Sequence, residues 1–353
     1  MLKTAPRLSA AFNPRANGLN LFRLILAASV IVTHSYPITG REEGWEFMRS
    51  AGVDGFFAIS GFLIASSWVR RPKVLDYLRA RLLRILPGLW ACLLVTAVAI
   101  APLATALAGD PIPHGYPSSA TTYFLQNFML TDQGQSIAGT LNNVPYPNAW
   151  NSSLWTLRWE FFCYLGVIAL GLLGLVTASR FIGAAFIGLT IAQAVVFMLG
   201  TENYWITSPV RFALMFVAGM LIYSLRDCLP VTPALVAGAV VVVLVASTFI
   251  PGSGYRATCS AFYAYALLAG STFLRSPRLQ MRNDISYGTY IYGFPVQQTL
   301  ASTALVSWHP VAFAAVAIVV VLPLATTSWF FVEKPAQRFR AKPMRAHAPP
   351  VES

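Results

Sequence analysis

Two ionisable residues stand inside the first apolar stretch of the chain, Arg23 near its start and His34 near its end. Such groups are costly in a membrane helix and by default signal function there. They are eleven residues apart in the sequence, close to three turns, so both project from one helix face. At about 1.5 Å rise per residue their depths differ by roughly 16 Å. A fixed cation near one surface and a titratable imidazole further along the same face suit chemistry that connects two depths of a bilayer.

Other residues of the same kind recur along the chain. Asp54 lies in Gly52-Val53-Asp54-Gly55-Phe56-Phe57-Ala58-Ile59-Ser60-Gly61-Phe62, at a depth similar to His34 on the next, antiparallel segment. A carboxylate there either orients His34 and raises its basicity or complements the dipole of its own helix. In Arg79-Ala80-Arg81-Leu82-Leu83-Arg84-Ile85-Leu86-Pro87, Arg81 and Arg84 share a face and lie at the same depth as Arg23. Guanidinium groups take phosphate in a bidentate way and stay charged, so a phosphate-rich cytosolic ligand is one reading. Plain anchoring by basic residues is the other. Arg158 and Glu160, beside Phe161 and Phe162, are unsuited to lipid. They either meet partners on other helices, hold a hydroxyl-bearing acceptor, or form a structural ion pair. Tyr287, Tyr290 and Tyr292 open a later apolar segment, where they bond a ligand or join an interfacial belt. A charged pair, Glu333 and Lys334, precedes Pro335 and a helix stop.

The elements that must position these residues are membrane helices. The chain is 56% hydrophobic and 11% charged, with a mean hydropathy of +0.60, against about 25% charged residues in a soluble domain. Apolar segments of spanning length fall at about 19–38, 51–69, 84–107, 155–176, 181–199, 209–225, 231–250, 257–274, 285–306 and 311–332. The expectation is an all-α integral membrane protein, a polytopic bundle of about ten transmembrane helices. Lys and Arg cluster before the first segment, between the second and third, before the ninth and after the tenth. The alternate loops are nearly free of them, which puts both termini in the cytoplasm. A net charge of +12 at such helix ends calls for anionic lipid headgroups as partner, not nucleic acid.

The expected organisation is a basic leader over 1–18, a transmembrane domain over 19–332 and a disordered cytoplasmic tail over 333–353. No cleavable signal peptide and no internal repeat stand out. Cys92, Cys163, Cys228 and Cys259 form no metal-ligand or CxxC pattern and read as apolar residues. The long loop, about 108–154, is rich in Pro, Asn, Gly and aromatic residues. It suits carbohydrate or lipid headgroups, or is anchored by its aromatics at the interface.

Taken in order, Arg23-x10-His34, the Gly52–Phe62 run, Arg81-x-x-Arg84-Ile85-Leu86-Pro87, Leu154-Trp155-Thr156-Leu157-Arg158-Trp159-Glu160, Ser286-Tyr287-Gly288-Thr289-Tyr290-Ile291-Tyr292 and Val332-Glu333-Lys334-Pro335 resemble the membrane-bound acyltransferase 3 family over about residues 18–340. The resemblance implies ten transmembrane helices and transfer of an acyl group, most often acetyl from acetyl-CoA, to hydroxyls of extracytoplasmic or lipid-linked glycans. It implies a multi-pass protein of the bacterial cytoplasmic (inner) membrane that uses acyl-CoA as co-substrate and needs no metal. Carried over by position, His34 is catalytic, with Glu160 and Asp54 orienting it or the acceptor. Arg23, Arg81 and Arg84 hold the CoA phosphates, and Arg158, Tyr287 and Tyr290 are expected to bind substrate. Two departures stand against the family pattern. Gly293 occupies the place of a frequent second histidine, and no fused extracytoplasmic hydrolase-like domain follows the last segment, so transfer is expected to finish within the membrane domain. A transporter or flippase for a glycolipid or small polar solute is the alternative that uses the same buried charges.

Overall fold

Apolar side chains at helical period dictate the architecture, and each of the segments named above is helical. The structure, a computed structural model, describes residues 5–339 apart from positions 15, 43, 132, 133, 275, 277 and 278. Its main helices are α1 (Leu19–Ile38), α2 (Glu46–Arg70), α3 (Val74–Leu107), α4 (Trp155–Leu172), α5 (Ser179–Met198), α6 (Tyr204–Ser224), α7 (Pro233–Phe249), α8 (Tyr255–Gly270), α9 (Ser286–Ala301) and α10 (Pro310–Gln337). Six of these, α1, α2, α3, α5, α6 and α10, are long and apolar enough to cross a membrane. The others miss that measure for visible reasons. Arg158 and Glu160 dilute the apolar run of α4, while α7, α8 and α9 have only 17, 16 and 16 residues. The protein is an all-helical membrane protein.

A helix rich in polar side chains, α9, sits at the centre. All of α9 except Leu300 is buried, although it carries Ser286, Tyr287, Thr289, Tyr290, Gln297 and Gln298. Polar groups in a membrane protein face the bundle interior and need partners there. Tyr287 donates to the Ile85 carbonyl of α3 at 2.9 Å. Gln297 Nε2 donates to the Ile31 carbonyl and to Ser35 Oγ of α1, both at 2.7 Å. Gln298 Nε2 reaches the long loop, at Tyr146 O and Ala149 O. The central helix is thus stitched to α1, α3 and the loop by its side chains.

Close backbone approach fixes α2 against α6. A Cβ on Gly61 would lie 1.9 Å from the Phe216 carbonyl oxygen, and one on Gly219 equally close to that of Ala58. This is the small-residue crossing that membrane helices use where hydrophobic attraction cannot hold them together.

Two boundaries differ from the sequence reading. Part of the leader is docked: Leu8–Ala11 forms a short helix, Leu8 N–H donates to Leu229 O at 2.9 Å, and Phe12 packs edge-on against Phe62. Apolar Leu8 and Phe12 supply the reason, because they find a groove beside the α6–α7 connection. The expected tail also begins too early. The last helix runs on to Gln337, and Glu333 is 1% exposed because a π-helical turn over Trp329–Glu333 swings it inward. Residues 340–353 lie outside the described residues. The four cysteines are unpaired.

Candidate active site

Three elements bring the inner charges together. Arg23 of α1 and Arg84 of α3 converge on Asp284, in the connection that leads into α9. Arg23 Nη1 and Arg84 Nη2 each donate to Asp284 Oδ2 at 2.5 Å. The other carboxylate oxygen accepts from the backbone N–H and hydroxyl of Ser286. Burial pushes the Asp284 carboxyl up, but the Arg23 and Arg84 guanidiniums outweigh it and hold it below the usual carboxylate range. Two guanidinium groups share this one carboxylate, and the carboxyl groups of Glu160 and Glu333 also bear on them. Arg23 also lies 5.8 Å from the Phe56 ring centre, and Arg84 5.9 Å from that of Tyr287.

Glu160 completes this inner centre from α4. Its Oε1 accepts from the Tyr164 hydroxyl at 2.6 Å and from Ser60 Oγ at 3.2 Å. Arg23, Phe56, Phe57, Thr156, Glu160, Tyr287 and Tyr290 enclose a cavity of about 40 Å³. The rings of Tyr287 and Tyr290 form part of its wall, while their hydroxyls are bonded to protein. Tyr290 donates to Ser153 O at 2.8 Å and sits 2.7 Å from Thr156 Oγ1. Arg81 stands apart from the Asp284 cluster, its guanidinium 5.9 Å from the ring centres of both Tyr77 and Tyr164.

His34 belongs to a second, outer centre. It lines a vestibule of about 560 Å³ with Thr33, Arg41, Glu42, Glu46, Arg49, Trp155 and Arg211. The imidazole packs edge-on against Phe294 of α9, ring centres 5.2 Å apart. Among the described residues neither ring nitrogen has a hydrogen-bond partner. An aromatic layer separates the two centres. Phe57, in the inner cavity wall, stacks on Phe212 at 4.3 Å, and Phe212 in turn packs against Trp155 in the vestibule wall at 5.3 Å.

Asp54 does not meet His34. Arg211 of α6 donates through Nε to Asp54 Oδ1 at 2.7 Å, and Arg256 of α8 through Nε to Oδ2 at 2.8 Å. Tyr255 adds a third bond at 3.2 Å, and Arg256 Nη2 continues to Glu46 Oε1 at 3.1 Å. A carboxylate 1% exposed needs such compensation, and two guanidiniums outcompete one imidazole for it. Through this pair Asp54 still bears on the vestibule, because it fixes Arg211 in the wall opposite His34.

Arg158 is also elsewhere. Its Nε bonds to Leu130 O at 3.3 Å and its guanidinium covers Trp205, on the loop side of α4 and away from both cavities. Sequence reasoning misses Asp284, Arg211, Arg256 and Gln297. The signal was present for two of them: Arg211 and Arg256 stand at the edges of apolar segments, where the rule that singles out Arg23 applies equally. Among the described residues no group of three His, Cys, Asp or Glu side chains is gathered to hold a metal ion.

This arrangement, an arginine–carboxylate cluster and an unengaged histidine on one helix, can be set beside known proteins. A family model described as an acyltransferase domain matches residues 16–330. The chain is 29% identical over 334 residues to an O-acetyl transferase of Shigella phage Sf6, covering 91% of this chain and 96% of that protein. It is 26% identical to Nodulation protein 10 of Rhizobium leguminosarum bv. viciae, covering 92% of this chain and 94% of that one. No solved structure matches. With nearly the whole helical bundle inside the matched span, the chain belongs to the acyltransferase 3 family and is an acyltransferase.

Proposed function

We propose that the protein acetylates a hydroxyl of an extracytoplasmic or lipid-linked glycan, drawing the acetyl group from acetyl-CoA on the cytoplasmic side of a bacterial inner membrane. One observation carries the reading. His34 opens on the outer vestibule with both ring nitrogens unengaged, and Arg23 on the same unbroken helix belongs to the arginine–carboxylate cluster, roughly 16 Å deeper. The likeness to an O-acetyl transferase supports the acyl group and the hydroxyl acceptor. Ten crossings with both termini in the cytoplasm complete the picture, since the basic residues at 70–84 and after α10 then face inward.

Arg23 and Arg84 are the guanidiniums offered to the CoA phosphates, in a geometry already fixed by Asp284. Arg81 adds a third guanidinium near the entry of α3. Neutral His34 takes the proton of the acceptor hydroxyl as its oxygen attacks the thioester carbonyl. The new C–O bond forms, the C–S bond breaks, and the departing CoA thiolate recovers the proton from the imidazolium. Glu160, bonded to Ser60 and Tyr164, shapes the cavity wall beside Arg23. Asp54 acts at one remove by holding Arg211.

Transfer of radiolabelled acetyl from acetyl-CoA in membranes containing wild type or His34→Ala, at matched expression, tests the reading. Label in glycan with wild type alone supports it. Equal labelling by both proteins keeps the enzyme and removes His34 from its chemistry.

A further inference from the structure

A second polar recess lies outside the centres described above. The long loop, the end of α3 and the α9–α10 turn enclose a groove of about 740 Å³ on the outer face. Its volume falls within the roughly 300–1,000 Å³ usual for small-ligand sites. Asp110, Thr140, Asn142, Asn143, Ser302 and Thr303 supply polar lining, and among the described residues no Lys or Arg takes part. Amides, hydroxyls and one carboxylate without a cation are suited to a ligand rich in hydroxyls and poor in negative charge.

The loop is built to hold these groups in place. Its aromatic residues are turned inward: Tyr116, Tyr123 and Trp150 are buried, and Tyr116 donates to Ala97 O at 2.6 Å. Asn142 and Asn143 remain exposed in the groove. Ala138, in its wall, has φ of 47°, a left-handed conformation that residues other than glycine rarely adopt. It is held there by an N–H bond to Ser119 Oγ at 2.7 Å. Backbone of this kind concentrates at ligand-holding sites.

Both walls of the groove are linked by contacts to the surroundings of His34. On one side Val144 leads to Tyr146, whose ring meets Phe294 at 5.6 Å, and Phe294 meets His34. On the other side Thr303 leads to Ser307 and Trp308, whose carbonyls accept from Arg41 of the vestibule. We infer that the groove is a saccharide subsite, which holds neutral sugar units of the acceptor beside the unit whose hydroxyl reaches His34. The inference rests on the glycan reading above and adds where that glycan lies.

The test uses purified full-length protein in detergent, radiolabelled acetyl-CoA, and the polysaccharide fraction of the membranes that carry the protein. Asn142→Ala/Asn143→Ala removes exposed amides, and Asn143→Trp fills the groove. Each is expected to raise the KM for polysaccharide about 10-fold, in keeping with one or two lost hydrogen bonds, and to leave the KM for acetyl-CoA in place. An unmoved polysaccharide KM in both variants overturns the subsite alone. A rise in both KM values together also overturns it, since that is a folding effect. Wild type that acetylates other hydroxyl compounds but no polysaccharide overturns the glycan reading and the subsite with it.

Discussion

On the inner half of α1 charge is paired and packed, while on its outer half it is left open. Arg23 shares Asp284 with Arg84 and lines a cavity of about 40 Å³, whereas His34 faces about 560 Å³ with no bonding partner for its ring among the described residues. Packing of the first kind holds two like charges in one place, which is what recognition of a polyanion requires. Openness of the second kind leaves a base free to meet a hydroxyl that arrives from outside. On the proposed reading, one helix carries a pre-set binding centre and an unengaged reactive one, with the Phe57–Phe212–Trp155 layer between them.

The sharpest way to break this contrast is at His34. His34→Ala is expected to lower the acetylation rate by about 10²–10⁴-fold, the usual contribution of a general base, with unchanged thermal stability in detergent. Next comes Asp284→Ala, which leaves Arg23 and Arg84 facing each other without their carboxylate. Breaking a buried pair in this way costs about 3–5 kcal/mol, so the loss is expected in the melting temperature before it is seen in rate per folded molecule. Arg84→Lys keeps the charge but loses the fork, and is expected to raise the KM for acetyl-CoA about 10-fold while sparing the KM of the acceptor. Arg158→Ala, on the loop side of α4, is expected to stay within about 0.5 kcal/mol of wild type in stability and to leave both KM values unchanged.

Acidity separates the two centres without mutation. Burial raises the Asp284 carboxyl and the two arginines lower it further than burial raises it, so its folded value lies below the unfolded one. Its stabilisation is present above the unfolded value of about 3.9 and is lost only as pH falls through the lower folded value. Between pH 7 and pH 5 the inner cluster thus stays intact. A loss of rate on acidification that sets in before any change in melting temperature is expected from protonation of His34. A rate that falls only where the melting temperature falls contradicts its role as base.

Much of this was legible in the residues. The apolar periods located the helices, and Arg23 and Glu160 do line one cavity, with Arg84 joined to Arg23 through Asp284, because buried charges in a membrane protein must face one another. Asp54 was misjudged for a physical reason: depth along a helix can be read from sequence, but which neighbour approaches cannot. Arg211 and Arg256 come from helices more than 150 residues away in the chain, and their closeness is a fact of packing. Asp284 was illegible because it stands outside any apolar run, in a connection with no period to give its orientation. Glu333 looked like a helix stop, and only the π-helical turn carries it into the interior.

Transfer across the membrane is tested most directly in sealed vesicles of known orientation, to which labelled acetyl-CoA is added from outside. Vesicles with the cytoplasmic face outward are expected to acetylate glycan held in their lumen, and right-side-out vesicles are expected to acetylate none until permeabilised. Equal labelling by intact vesicles of both orientations would contradict a donor site and an acceptor site on opposite faces.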